Sequence, residues 1–382
     1  MLETQTQSPA SQAVFHLLEE QIAEGRQLGV QVCAYQHGER VVDTWAGKIG
    51  PDDERPVEAD TLFSSFSTTK GVAATALHIL ADRGVIEYDA PVAKYWPEFA
   101  ANGKDKITVE QAMSHQAGLH AVPSPLTREF VSDWDGALAY IANGTPAWEP
   151  GTATGYHALT YGWVVGGIIQ GATGRHIKDV VREDIAEPLG VADEMYIGIP
   201  DGLDDRLASL QAMAVSEGLP LADDHDFFKA MPRENNFTFN DMAIRKACLP
   251  AANGHFTARS LARMYGALAN GGEIDGVRLV SEERIPQMYR VVTSSPDRVL
   301  MGMPIPKGVG FMMGGNWGGL PAVSGPRASA FGHSGAGGST AFADPEVGLS
   351  VAVTINKMQN SLQGEGPTFE ICELVRKELG VD

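Results

Sequence analysis

The chain has 382 residues, 43% of them apolar, and a formal net charge of −19, which suits one large core or two closely packed domains. An acidic excess of this size, with no local cluster of Lys or Arg to offset it, repels phosphate backbones and anionic lipid, so no nucleic-acid or membrane partner is expected. No run of eighteen apolar residues occurs, and the opening MLETQTQSPASQAVF has neither a basic flank nor an apolar h-region, which predicts neither a membrane span nor export and points to the cytoplasm.

In chain order, residues 8–25 read as a helix, with Ser8 as cap, Pro9 in the first turn and Phe15, Leu18 and Ile22 at helical spacing. Strands follow at 28–36 and 40–47 around the turn His37-Gly38-Glu39. Helical patterns then dominate, at 70–83, 108–114, 159–172, 257–269 and 281–290; the fourth has Thr257 as cap and Asn270-Gly271-Gly272 as stop. Loops rich in Pro, Gly and acid, such as 196–205 and 216–226, read as solvated connections, and Asp223, Asp224, His225 and Asp226 as a solvated acidic stretch. A second hairpin joins 339–343 to 349–355, and 367–380 closes the chain as a helix. Cys33, Cys248 and Cys372 are too few and too far apart for a disulfide framework and read as reduced, buried thiols.

Strands at both ends with helices between predict an α/β fold of the α+β kind. One antiparallel sheet is flanked by terminal helices from residues 1–85 and 295–382, a mainly helical domain spans 86–294, and the site lies in the cleft between them.

Ser67 and Lys70 form the spacing S-x-x-K at the head of the alanine-rich helix. On a first helical turn, i and i+3 share a face, so the lysine lies within reach of the hydroxyl. If that turn is buried, desolvation lowers the lysine pKa and makes it a base for the serine proton. With 11 lysines and 20 serines, chance alone supplies about 0.6 such spacings, so on the spacing alone the pair reads first as a helix cap and only second as a catalytic pair.

Context separates the two readings. After the S-x-x-K come Asp89–Val92 as a D-x-P-V turn, ITVEQAMSHQAGL at 107–119 and EPGTATGYHALTYGWVVGGIIQGATG at 149–174. In this order the chain, over about residues 15–356, resembles the serine β-lactamase/penicillin-binding-protein superfamily, close to class C enzymes and family VIII carboxylesterases. The resemblance implies a β-lactamase/transpeptidase-like fold. It places the family's Y-x-N on Tyr156-His157-Ala158, which lacks the asparagine, and its K-T-G or H-x-G on His333-Ser334-Gly335. It further implies Ser67 as nucleophile, Lys70 and Tyr156 as general base and acid, the N–H groups of Ser67 and Ala336 as oxyanion hole, and His333, Ser334 and Gly335 against substrate, with no metal or cofactor.

Ser334 within Gly332-His333-Ser334-Gly335-Ala336 is a near miss to a G-x-S-x-G elbow, but no histidine follows residue 333, which that arrangement requires. Loss of the motif-two asparagine and the motif-three lysine removes groups that would orient a lactam amide and anchor its carboxylate. The expectation is therefore a carboxylesterase for short-chain or small aromatic esters, acting through an acyl-Ser67 intermediate, with weak β-lactam turnover. An acyltransferase of the same fold, a β-lactamase or D-amino peptidase, and a binding module without catalysis are the alternatives. Trp134, Trp163, Phe227, Phe228, Met312, Met313 and Trp317 are candidates for an apolar cleft wall, although each reads first as a core residue. His115 and His120 read as structural.

Overall fold

The computed structural model describes residues 8–211, 221–359 and 364–382. Its main sheet has seven strands, numbered here β1 (Gly29–Gln36), β2 (Glu39–Gly50), β3 (Asp53–Pro56), β4 (Met312–Met313), β5 (Phe331–Ser334), β6 (Thr340–Asp344) and β7 (Leu349–Ile355). Their order is β3-β2-β1-β7-β6-β5-β4, with every pairing antiparallel. Strands from the two ends of the chain meet where Val32 pairs with Val353.

Helices of ten residues or more are α1 (Pro9–Ala23), α2 (Thr69–Asp82), α3 (Trp134–Asn143), α4 (Thr160–Thr173), α5 (Ala258–Ala269) and α6 (Pro367–Glu378). The caps read from the sequence form: Ser8 Oγ accepts the Ser11 N–H at 3.0 Å, and Thr257 Oγ1 accepts the Ser260 N–H at 3.0 Å. Alternation along β1 decides what each face meets. Val30, Val32 and Ala34 pack with α1 and α6 through Val14, Leu18, Ile371 and Val375, whereas Cys33 and Tyr35 join the core containing Leu261, Met264 and Leu268 of α5. The central strands are apolar on both faces for that reason. A buried ion pair spans the second interface, with Arg259 Nη2 2.8 Å from Asp43 Oδ2. Cys33, Cys248 and Cys372 are free thiols.

The alanine-rich α2 is buried from Thr69 to Ala81, which small side chains allow. Glycines on α4 do the same: a Cβ at Gly162 would meet the Ala251 nitrogen at 2.5 Å, so segment 250–251 packs directly on that helix. Among the described residues, no helix is long and apolar enough to cross a membrane.

Three local expectations are corrected. Residues 196–205 are not simply a solvated loop, because Met195–Ile197 is a strand of a small sheet with Phe63–Ser64 and Gly254–Phe256, and Ile197 and Ile199 are buried. Within 216–226, residues 216–220 lie outside the described residues, and Asp226 begins the helix Asp226–Ala230. The single helix expected over 281–290 divides into a 3-10 turn, Glu282–Arg284, and the α-turn Ile285–Tyr289, with Pro286 at its start. Proline carries no N–H, and it favours such a beginning.

Candidate active site

The small sheet delivers the chain to Ser67. Phe63 pairs with Phe256, Ser64 with His255, and the Ser65 N–H donates to Gly254 O at 2.9 Å. Phe66 then adopts φ +46°, an unusual conformation for a bulky residue, held by the turn around it. The next residue, Ser67, is half-buried and precedes the helix rather than lying in it, since α2 begins at Thr69 with Thr68 as its N-cap. That end makes no side-chain cap bond, so the capping role open to Ser67 in the sequence is not the one it plays.

Lys70 is fully buried. Its Nζ lies 3.1 Å from Ser67 Oγ and donates to Ala158 O at 2.7 Å and Ala251 O at 2.9 Å. Burial holds its pKa well below the ordinary lysine range. The same nitrogen is 4.7 Å from the centre of the Tyr156 ring. Tyr156 is buried, with its ring 5.0 Å from that of His115 and 6.0 Å from that of His333. Burial pushes its phenol pKa upward, and the nearby Ser67 hydroxyl acts in the opposite sense.

Next to it, His157 pins the loop. Its Nδ1–H donates to Gly155 O at 2.7 Å and its Nε2 accepts the Leu119 N–H at 2.9 Å, while its own backbone N–H donates to His115 Nδ1 at 3.0 Å. Ala158, where the resembled motif has asparagine, offers Lys70 its carbonyl instead.

The opposite wall is the end of β5 and the turn beyond it. The Gly335 N–H donates to Ser339 O at 2.7 Å, and Thr68 Oγ1 donates to the same carbonyl at 3.2 Å, so this turn is tied to the start of α2. Among the described residues, neither the Ser67 nor the Ala336 N–H donates to another residue. Ser334 Oγ is engaged with Thr340 Oγ1 across the β5–β6 pair at 2.9 Å. His333 Nδ1 lies 2.9 Å from Ser334 O, which makes Nδ1 the protonated nitrogen, and its buried Nε2 has no hydrogen-bond partner among the described residues. Burial drives the His333 pKa down to about 3, with the nearby Lys70 acting in the same direction.

The beta-lactamase family model matches residues 14–370. The chain belongs to the beta-lactamase family. Esterase/beta-lactamase LipL of Mycobacterium tuberculosis (strain ATCC 25618 / H37Rv) is 38% identical over 355 residues, 88% of this chain and 79% of that protein. A crystal structure of a family VIII carboxylesterase matches with TM-score 0.89 at 34% identity, covering 98% of this chain and 100% of the other. A penicillin-binding protein homolog from Caulobacter crescentus matches with TM-score 0.88 at 38% identity, again over 98% and 100%. Family membership establishes the β-lactamase/transpeptidase-like fold and the class, a serine hydrolase.

Sequence reasoning missed several residues that the fold sets around Lys70 and behind Tyr156. The Ala251 carbonyl is one, and no sequence signal reports a backbone acceptor. Asp297 and Lys307 are others, with Asp297 Oδ1 accepting the Tyr156 backbone N–H at 3.1 Å. The acidic stretch is corrected in part: Asp223 and Asp224 are exposed as expected, but His225 caps its helix through Nδ1, and Asp226 is mostly buried with His120, Lys229 and Arg298 around it at 3.0–3.4 Å. Of the aromatic and methionine candidates, Met312 packs in the cluster of Tyr156, Ala158, Ala230 and Val299. Trp163 and Met313 are main-core residues, Trp134 packs against that core, and Trp317 sits with Ile305 and Ala322. Phe227 and Phe228 are buried.

Proposed function

We propose that this family member is a serine carboxylesterase for short-chain or small aromatic esters, working through an acyl-Ser67 intermediate. The observation that carries the reading is the environment of Lys70 Nζ: two carbonyl acceptors, Ala158 O and Ala251 O, and one hydroxyl, Ser67 Oγ. A neutral amine has two N–H groups and one lone pair. The carbonyls take the first two, and the lone pair is left for the Ser67 hydroxyl proton. Burial keeps the amine in that neutral form.

Ser67 Oγ then attacks the ester carbonyl carbon as its proton passes to Lys70 Nζ. The carbonyl oxygen becomes an oxyanion between the N–H groups of Ser67 and Ala336. As the C–O bond to the alcohol breaks, the proton returns from Lys70 through Tyr156 to the leaving oxygen. Water repeats the sequence on the acyl-serine, losing a proton to the same pair, and releases the carboxylic acid with Ser67 restored. His333, Ser334 and Gly335 border the bound ester. A neutral imidazole at 333 supplies no cation for a substrate carboxylate, which favours esters over β-lactams. On this reading, residues 1–85 with 295–382 carry Ser67, Lys70 and the 333–336 edge, and residues 86–294 carry Tyr156.

Hydrolysis of p-nitrophenyl esters graded by acyl length, beside a chromogenic lactam, tests the assignment in parent and Ser67→Ala. The parent should turn over the short esters far faster than the lactam, and Ser67→Ala should lose at least about 10³-fold in kcat. Comparable turnover by Ser67→Ala, or a parent that prefers the lactam, sinks the proposal.

A further inference from the structure

Asp297 and Lys307 form an ion pair with 0% and 1% side-chain exposure, Lys307 Nζ standing 2.9 Å from Asp297 Oδ2. Sinking two charges this deep gains little net stability, because their desolvation offsets most of their attraction. Their surroundings suggest another use. Asp297 Oδ1 accepts three backbone N–H groups, from Tyr156 at 3.1 Å, Val299 at 2.9 Å and Leu300 at 2.8 Å. Alongside, the Arg298 N–H donates to Thr154 O at 3.0 Å, so segment 154–156 lies against 297–298 as a short parallel bridge.

Lys307 is anchored at the other wall of the site. Its N–H donates to Thr293 O and its carbonyl accepts the Val292 N–H, both at 2.8 Å, and it bridges to Met312. Met312 and Met313 form β4, which pairs with Gly332 and Phe331 just before His333. The ion pair therefore joins the Tyr156 loop to the strand edge opposite it.

We propose that Asp297, oriented by Lys307, is the positioning residue for Tyr156, setting the distance of the phenol from Ser67 and Lys70. This rests on the reading of Tyr156 as proton carrier. Displacement of such a group by about 1 Å costs up to about 100-fold in rate, so the anchor acts on kcat while leaving ester binding largely intact.

The test is a cycle of Asp297→Ala/Lys307→Met, which leaves no unpaired buried charge, Tyr156→Phe, and all three changes together. Each is assayed for kcat and KM on a p-nitrophenyl ester and for its urea midpoint. The double variant should lose about 10- to 100-fold in kcat with KM changed much less. Added to Tyr156→Phe, the same two changes should cost little further kcat, while the shift they cause in urea midpoint stays the same in both backgrounds. Asp297→Asn/Lys307→Met, which returns an acceptor oxygen at the same reach, should recover most of the lost kcat. Should the alanine variant not fold, Asp297→Glu takes its place with the same expectations. A folded variant with parental kcat, or a loss undiminished in the Tyr156→Phe background, overturns the inference alone. Parental kcat in Tyr156→Phe by itself overturns the reading of Tyr156, and this inference with it.

Discussion

Gly335 packs so tightly on the loop before Ser67 that a Cβ built on it would stand 2.3 Å from Ser65 O and 3.2 Å from Phe66 Cβ. Backbone on one side and a residue at φ +46° on the other leave little room to yield. The glycine thus brings the β5 edge, and with it Ala336, against the turn that carries Ser67.

Gly335→Ala should push the two walls apart. We expect stability to fall by about 1–3 kcal/mol through overpacking, and kcat/KM on short esters to fall at least about 10-fold as the proposed oxyanion donors separate. Denaturant midpoints and ester kinetics on the folded variant check both. Unchanged kinetics would remove the close approach from the account.

Lys70 sets a pH dependence. Its neutral form is the proposed base, and burial lowers its pKa, so the active form is already present at pH values where an exposed lysine is charged. The pH profile of kcat/KM should rise through an ionisation well below the ordinary lysine value of about 10.4. No falling limb from Tyr156 should follow near pH 10, because burial raises that phenol. A rising limb at the ordinary lysine position would contradict a neutral Lys70.

Acid should destabilise the fold through its buried histidines. His78, His157, His255 and His333 are each held at a pKa of about 3 by burial, against about 6.5 when unfolded. Above the unfolded value both states are neutral and no penalty exists. As pH falls below it, the unfolded chain takes up protons the folded one refuses, so stability is lost progressively from about pH 6.5 towards 3, at up to roughly 1.4 kcal/mol per pH unit for each histidine. A urea midpoint that stays level between pH 7 and 5 would show that these imidazoles are not neutral and buried together.

Legibility followed the range over which each signal acts. Ser8 and Thr257 announce their helices because a hydroxyl and an N–H three residues on are enough to make a cap. Ser67 and Lys70 are three apart, and their proximity could be anticipated, although the turn at Phe66 that sets Ser67 ahead of the helix could not. Strand Met195–Ile197 escaped notice because three residues show no period, and its pairing partner lies at Gly254–Phe256. Asp226 read as solvated because its neighbours in sequence are acidic, whereas its neighbours in space are His120, Lys229 and Arg298.

By itself, the sequence determined the terminal helices, the two hairpins that bring strands from both ends into one sheet and the order of motifs that marks the family, since all of these are patterns along one dimension. Only the tertiary structure decided what surrounds Lys70 Nζ and what holds Tyr156. Those partners are the carbonyls of Ala158 and Ala251 and a carboxylate at 297. Every residue type carries the same carbonyl, and an aspartate becomes an anchor only where folding strips it of water and sets backbone donors around it.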